Sequence, residues 1–104
     1  MTNAARGEVS LVLDGVERRL RLTLGGLAEL EGRLAAGSLV ALAERFETGS
    51  VTADDLVALL AAGLRGAGEP ITETELARAE IAGGAVAALK TGLELLALAF
   101  PDPA

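Results

Sequence analysis

Apolar residues occupy every second position at Leu20, Leu22 and Leu24, and then recur at Leu24, Leu27, Leu30 and Leu34. The first spacing is that of one face of a strand; the second, about 100° per residue, is that of a helix. A strand therefore runs directly into a helix at Thr23, whose hydroxyl is placed to accept a first-turn amide as an N-cap. Gly25 and Gly26 would let other backbone approach closely. Upstream, Glu8 to Leu13 and Val16 to Leu22 read as two strands joined by Asp14-Gly15, the dipeptide suited to a type I′ hairpin. A loop of that length sets Leu13 opposite Val16, Leu11 opposite Arg18 and Val9 opposite Leu20. On the other face it pairs Val12 with Glu17, Ser10 with Arg19 and Glu8 with Arg21. An isolated hairpin is marginal in water, so the face of Val9, Leu11, Leu13, Leu20 and Leu22 must be covered by helices.

Helical spacing governs the rest. The first helix is expected from about Leu24 to Ala36, with Glu29 and Arg33 placed to pair at i,i+4. Gly37 ends it and Ser38 caps a second helix, striped by Leu39, Leu42, Ala43 and Phe46 and stopping near Gly49. Thr52 caps a third, with Asp55 at the capping-box position, a staple from Val51 to Leu56, and a stripe of Leu56, Leu59, Leu60 and Leu64. Gly63, Gly66 and Gly68 then predict a loose loop running into Glu69-Pro70. A second capping box, Thr72 with Glu75, opens a short fourth helix stapled by Ile71 and Leu76. The fifth helix, about Ala85 to Phe100, places Val86, Leu89, Leu93, Leu96 and Phe100 on one stripe, with Leu95 and Leu98 on its flank. Pro101 and Pro103 stop it. The fold class is thus α+β in one domain: a flexible 1–7, a β-hairpin over 8–22, four to five helices over 24–100, and a tail over 101–104.

Length agrees with one domain, since 104 residues at 51% hydrophobic content can bury one core and not two. The core is aliphatic, because Phe46 and Phe100 are the only aromatics. A formal charge of −6 argues against a nucleic-acid partner, and base-stacking platforms are lacking. Met1 to Gly7 lacks the apolar run of a signal peptide. The most apolar segment, Ala85 to Phe100, carries Lys90 and Glu94 and is shorter than the roughly 20 apolar residues a bilayer needs. No membrane association is expected.

Candidate chemistry is thin. Histidine and cysteine are absent, so serine and threonine have no histidine to activate them and thiolate metal sites are excluded. Asp54-Asp55 is the only adjacent acidic pair, and it falls in a first helical turn where negative charge is favoured. Gly63 to Gly68 lacks the Lys-Ser/Thr of a phosphate loop and follows a helix, so it reads as a flexible loop. Arg18, Arg19 and Arg21 read as a solvated hairpin face beside Glu8 and Glu17. Glu31, within the apolar arc of the first helix, is expected at its rim or paired with an arginine such as Arg18. Lys90 and Glu94 read as a surface pair. No catalytic, metal-binding or cofactor-binding residue is assigned. Leu95, Leu98 and Phe100 are the candidate partner-binding residues, left partly exposed on the last helix; the competing reading makes that helix core.

Arg6-Gly7-Glu8-Val9, Leu22 through Glu31, the Gly37-Ser38-Leu39 restart and Leu59 through Gly68 together resemble a small family encoded in tail-gene clusters of phages and gene transfer agents. Its members are described variously as gene transfer agent proteins, tail tube proteins or tail assembly chaperones. The resemblance spans Arg6 to Phe100 and carries a fold motif without a catalytic site. It implies a non-enzymatic assembly chaperone that binds the tape-measure or tail-tube protein in the cytoplasm of a bacterial host. The alternative it leaves is a structural subunit of the tail, associated with the particle. An adaptor domain with no viral role and an enzyme rank behind both.

Overall fold

The hairpin forms in the register that its loop dictates. β1 (Glu8–Leu13) and β2 (Val16–Arg21) pair antiparallel, with Glu8 opposite Arg21, Val9 opposite Leu20 and Leu13 opposite Val16. Asp14 and Gly15 both take positive φ, 51° and 80°, as a type I′ turn requires. The structure is a computed structural model that describes residues 8–35 and 37–100. Expectations for 1–7 and 101–104 fall outside the described residues. Among the described residues five helices follow: α1 (Leu24–Arg33), α2 (Leu39–Thr48), α3 (Ala53–Gly66), α4 (Glu73–Arg78) and α5 (Gly84–Ala99). The architecture is the α+β domain expected from the period switch.

Hydroxyl caps start four of the helices. Thr23, Ser38, Thr52 and Thr72 accept from the amides of Gly26, Ala41, Asp55 and Glu75 at 3.0 to 3.1 Å. The reciprocal box closes at α4, where Glu75 Oε1 accepts the Thr72 N–H at 3.0 Å. At α3 the acidic half is used differently: Asp55 Oδ1 accepts the Ala35 N–H at 2.8 Å. Asp55 is fully buried, so the carboxylate fixes the chain leaving α1 against the start of α3. This tether helps explain why α1 stops at Arg33, with Leu34 already extended and Gly37 turning with φ of 89°; the expected end at Ala36 lies outside the described residues.

The core sits between the inner hairpin face and α3. Val9, Leu11, Leu13 and Leu20 are buried there, and α3 is buried continuously from Ala58 to Leu64. α3 packs against β2, α1, α4 and α5, so it is the axis on which the other elements are set. The Gly63 to Gly68 expectation is corrected: the helix continues to Gly66, and its glycines mark close packing. A Cβ on Gly63 would lie 2.9 Å from Leu95 Cδ1 and 3.1 Å from Leu20 Cβ, while one on Gly66 would overlap the Arg21 carbonyl oxygen. By contrast Gly25 has open space around it, so no close approach occurs there. The hairpin tip is also tied down. The Asp14 N–H donates to Glu80 O at 2.8 Å, the Ala82 N–H donates to Val12 O at 3.1 Å, and Leu13 bridges Ile81.

The ion pairs that form leave Glu31 exposed at the rim of α1, the first of its two expected placements, and correct the pairing of Glu29 with Arg33. Arg18 pairs with Glu69 at 2.9 Å, not with Glu31. Glu31 Oε2 instead accepts the Leu39 N–H at the start of α2, at 3.4 Å. Arg33 leaves Glu29 for a fork on Asp54, at 3.0 and 3.1 Å, and a contact of 2.7 Å to Glu73. It thereby joins the end of α1 to the starts of α3 and α4. Those contacts hold the Asp54 carboxyl below the usual carboxylate range, chiefly through its hydrogen bond to Arg33. The Thr72 backbone amide does the same for Glu75. A depressed carboxylate pKa stabilises the fold above the unfolded-state value and ceases to do so as pH falls through the folded-state value. The melting temperature is therefore expected to fall on acidification through the carboxylate range, and Arg33→Gln to flatten that fall. Thermal unfolding followed by circular dichroism across that range checks both; an identical acid slope in the variant would remove the assignment to Arg33.

Candidate functional site

α5 is apolar on two opposite sides, and only one of them faces the core. The inward side is built from small residues: Ala88, Thr91 and Gly92 are buried together with Leu95 and Leu96. Gly92 receives α2 and α3, since a Cβ there would lie 3.0 Å from Leu56 Cδ1, 3.1 Å from Phe46 Cζ and 3.2 Å from Leu59 Cδ2. The Thr91 hydroxyl donates to the Ser10 carbonyl at 3.5 Å, tying the same side to β1. With these small residues turned inward, large ones face water: Val86 is 76% exposed, Leu93 52% and Phe100 50%.

This outward side continues onto the neighbouring helices as two open clefts. One, of about 390 Å³, lies between α2 and α5 and is lined by Leu39, Val40, Ala43, Glu47, Leu93, Leu96, Ala97 and Phe100. The other, of about 330 Å³, lies against α1 and is lined by Leu24, Leu27, Ala28, Glu31, Leu39 and Phe100. Leu39 and Phe100 belong to both, so the clefts form one apolar groove with Phe100 at its middle. Val40 and Leu24 extend the greasy surface and are themselves exposed. Contiguous large apolar side chains in water mark a surface that another molecule covers. Among the described residues, the only charged groups lining the groove are Glu31 and Glu47. Such a lining can exclude water and grip apolar side chains.

The fold separates the three residues that the sequence offers for partner binding. Phe100 stands in the groove, Leu98 is half-buried against the core, and Leu95 is 1% exposed. The expected exposure of Leu95 is thus corrected: it points at α3, where Gly63 makes room for it. The stripe of Val86, Leu89 and Leu93, whose spacing suggests a core face, is instead the solvent face. Leu24, Val40 and Leu93 are exposed apolar residues of this groove that periodicity alone does not place in solvent. The signal that could find them is the run of small residues at Ala88, Thr91, Gly92 and Ala99, which at helical spacing marks a close-packing side and leaves the bulky side outward.

Other candidate groups have structural partners. Asp54 holds Arg33, Asp55 holds Ala35, and Arg21 Nη2 donates to the Gly66 carbonyl at 3.4 Å. Among the described residues, no group of three or more acids, histidines or cysteines could hold a metal ion, and no helix is long and apolar enough to cross a membrane.

A family model described as phage tail tube protein, GTA-gp10, matches residues 6–102, nearly the whole chain. No curated protein and no solved structure matches it.

Proposed function

The chain belongs to the phage tail tube protein, GTA-gp10 family, and from that premise we propose that it is a non-enzymatic assembly chaperone of a phage-like tail. It acts in the cytoplasm of the bacterial host, where it keeps the tape-measure or tail-tube protein soluble until the tube grows. The observation that carries this reading is the groove around Phe100, where Leu24, Val40, Leu93 and Phe100 leave large apolar side chains exposed beside one another. Association buries it and release exposes it again, so partner exchange costs the chaperone little folding energy. The charge of −6 opposes self-association while the groove is empty.

A second reading, a structural subunit of the tail, is favoured by the family's own description as a tail tube protein. Among the described residues, a ring built by strand addition would draw on a sheet of two strands, β1 and β2. Purified mature particles separate the two readings, because a subunit is present in many copies and a chaperone is absent.

Co-expression with a tape-measure protein of a phage-like tail tests the chaperone directly. The parent protein is expected to co-purify with it and to raise its soluble fraction several-fold. Leu93→Asp and Phe100→Asp, both at exposed positions, are expected to abolish the effect while leaving the far-ultraviolet spectrum unchanged. Undiminished solubilisation by both variants would sink the groove as the working surface.

A further inference from the structure

We infer that the groove's occupant is an α-helix with Lys or Arg beside its apolar stripe. The inference rests on the chaperone reading for the groove's purpose, but its chemistry comes from the walls. All three walls are helices, α1, α2 and α5, whose backbone amides and carbonyls are largely bonded within themselves. An extended peptide laid there would lose water from its own amides and find little backbone to replace it; a helix brings its hydrogen bonds with it. Two clefts meeting at Leu39 and Phe100 suit successive large apolar side chains along one face of such a helix.

Charge then selects what flanks that face. Glu31 and Glu47 line the two clefts, and among the described residues no cation does. Glu47 sits in the last turn of α2 (Leu39–Thr48), where the helix dipole adds negative potential, while Glu31 accepts the Leu39 N–H and keeps its other carboxylate oxygen for the cleft. The nearest strong cation on α1, Arg33, is committed to Asp54 and Glu73. A second copy of the chain fits poorly, since it would bring the same carboxylates and another −6 to the interface.

Two synthetic amphipathic helices with one leucine stripe, flanked by Lys in one and Glu in the other, test this by titration calorimetry. The Lys-flanked helix is expected to bind about fivefold more tightly at low salt, the size expected of two partly exposed ion pairs. Molar salt is expected to erase the preference by screening. Glu31→Gln with Glu47→Gln is expected to erase it as well, the Gln oxygen at 31 still accepting from Leu39. Leu93→Asp is expected to abolish binding of both peptides. Equal affinities, preference for the Glu-flanked helix, no binding of either, or a dimer in sedimentation that Leu93→Asp disperses would each overturn the inference. A soluble tape-measure partner without a Lys preference sinks this inference alone, whereas a Lys preference without tape-measure solubilisation sinks the chaperone reading alone.

Discussion

Gly66→Ala is expected to destabilise the protein by about 3 kcal/mol, against the sign usual for this substitution in a helix. Replacing glycine by alanine at an unstrained helical position ordinarily stabilises by about 0.4 to 1 kcal/mol, because it restricts the unfolded chain. At Gly66 the added methyl would overlap the Arg21 carbonyl oxygen. Neither side can yield cheaply: Arg21 is held by the last pair of the hairpin ladder, opposite Glu8, and α3 is fixed by the buried run from Ala58 to Leu64. Relief requires moving a whole helix off a strand, which opens the core at Leu20 and Leu64. Gly32→Ala is the control, since nothing lies within 4 Å of the new methyl and the site is exposed on α1. Denaturant unfolding is expected to give a lower midpoint for Gly66→Ala and a slightly higher one for Gly32→Ala. Equal stability of Gly66→Ala and the parent would mean that α3 does not lie so close to β2.

That glycine also shows where sequence reasoning reaches and where it stops. The hairpin register is legible because two turn residues fix it, and a two-residue period leaves no neighbouring register that keeps Val9, Leu11, Leu13 and Leu20 on one face. The four hydroxyl caps are legible for a similar reason: a cap acts on an amide three residues away, so its evidence lies beside it in the chain. Gly63 and Gly66 carry no such local mark. Whether a glycine loosens a chain or admits a neighbour depends on what arrives from elsewhere, here Leu95 and Arg21. Arg18 and Arg33 go to unforeseen partners because spacing along one element cannot say that Glu69 or Asp54 lies closer. The site suffers most from this. Helical periodicity finds an apolar side of α5 but cannot choose between two of them, and ranking by size selects the wrong one when the core prefers a close fit.

Leu95→Ala and Leu93→Ala, two residues apart on α5, are expected to fail in different ways. Leu95 is 1% exposed and meets α3 beside Gly63, so truncation leaves a void bounded by Leu20 and the α3 backbone. The cost is expected to be about 3 to 4 kcal/mol, the transfer of the lost methyl groups plus the cavity term. For a domain of this size that removes a large share of the total stability and lowers the melting temperature by on the order of 15 °C. Leu93 is 52% exposed in the groove, and its truncation is expected to change stability by less than about 0.5 kcal/mol. The partner assay inverts the order when stability is held fixed. At a temperature where both variants are folded, Leu93→Ala is expected to weaken capture of the tape-measure protein and Leu95→Ala to retain it. Two readouts are therefore needed on each variant, the unfolding midpoint and co-purification at low temperature. A stable Leu95→Ala that captures nothing would place the working surface on the inner side of α5 and overturn the groove; a destabilised Leu93→Ala would show that the outer stripe is core after all.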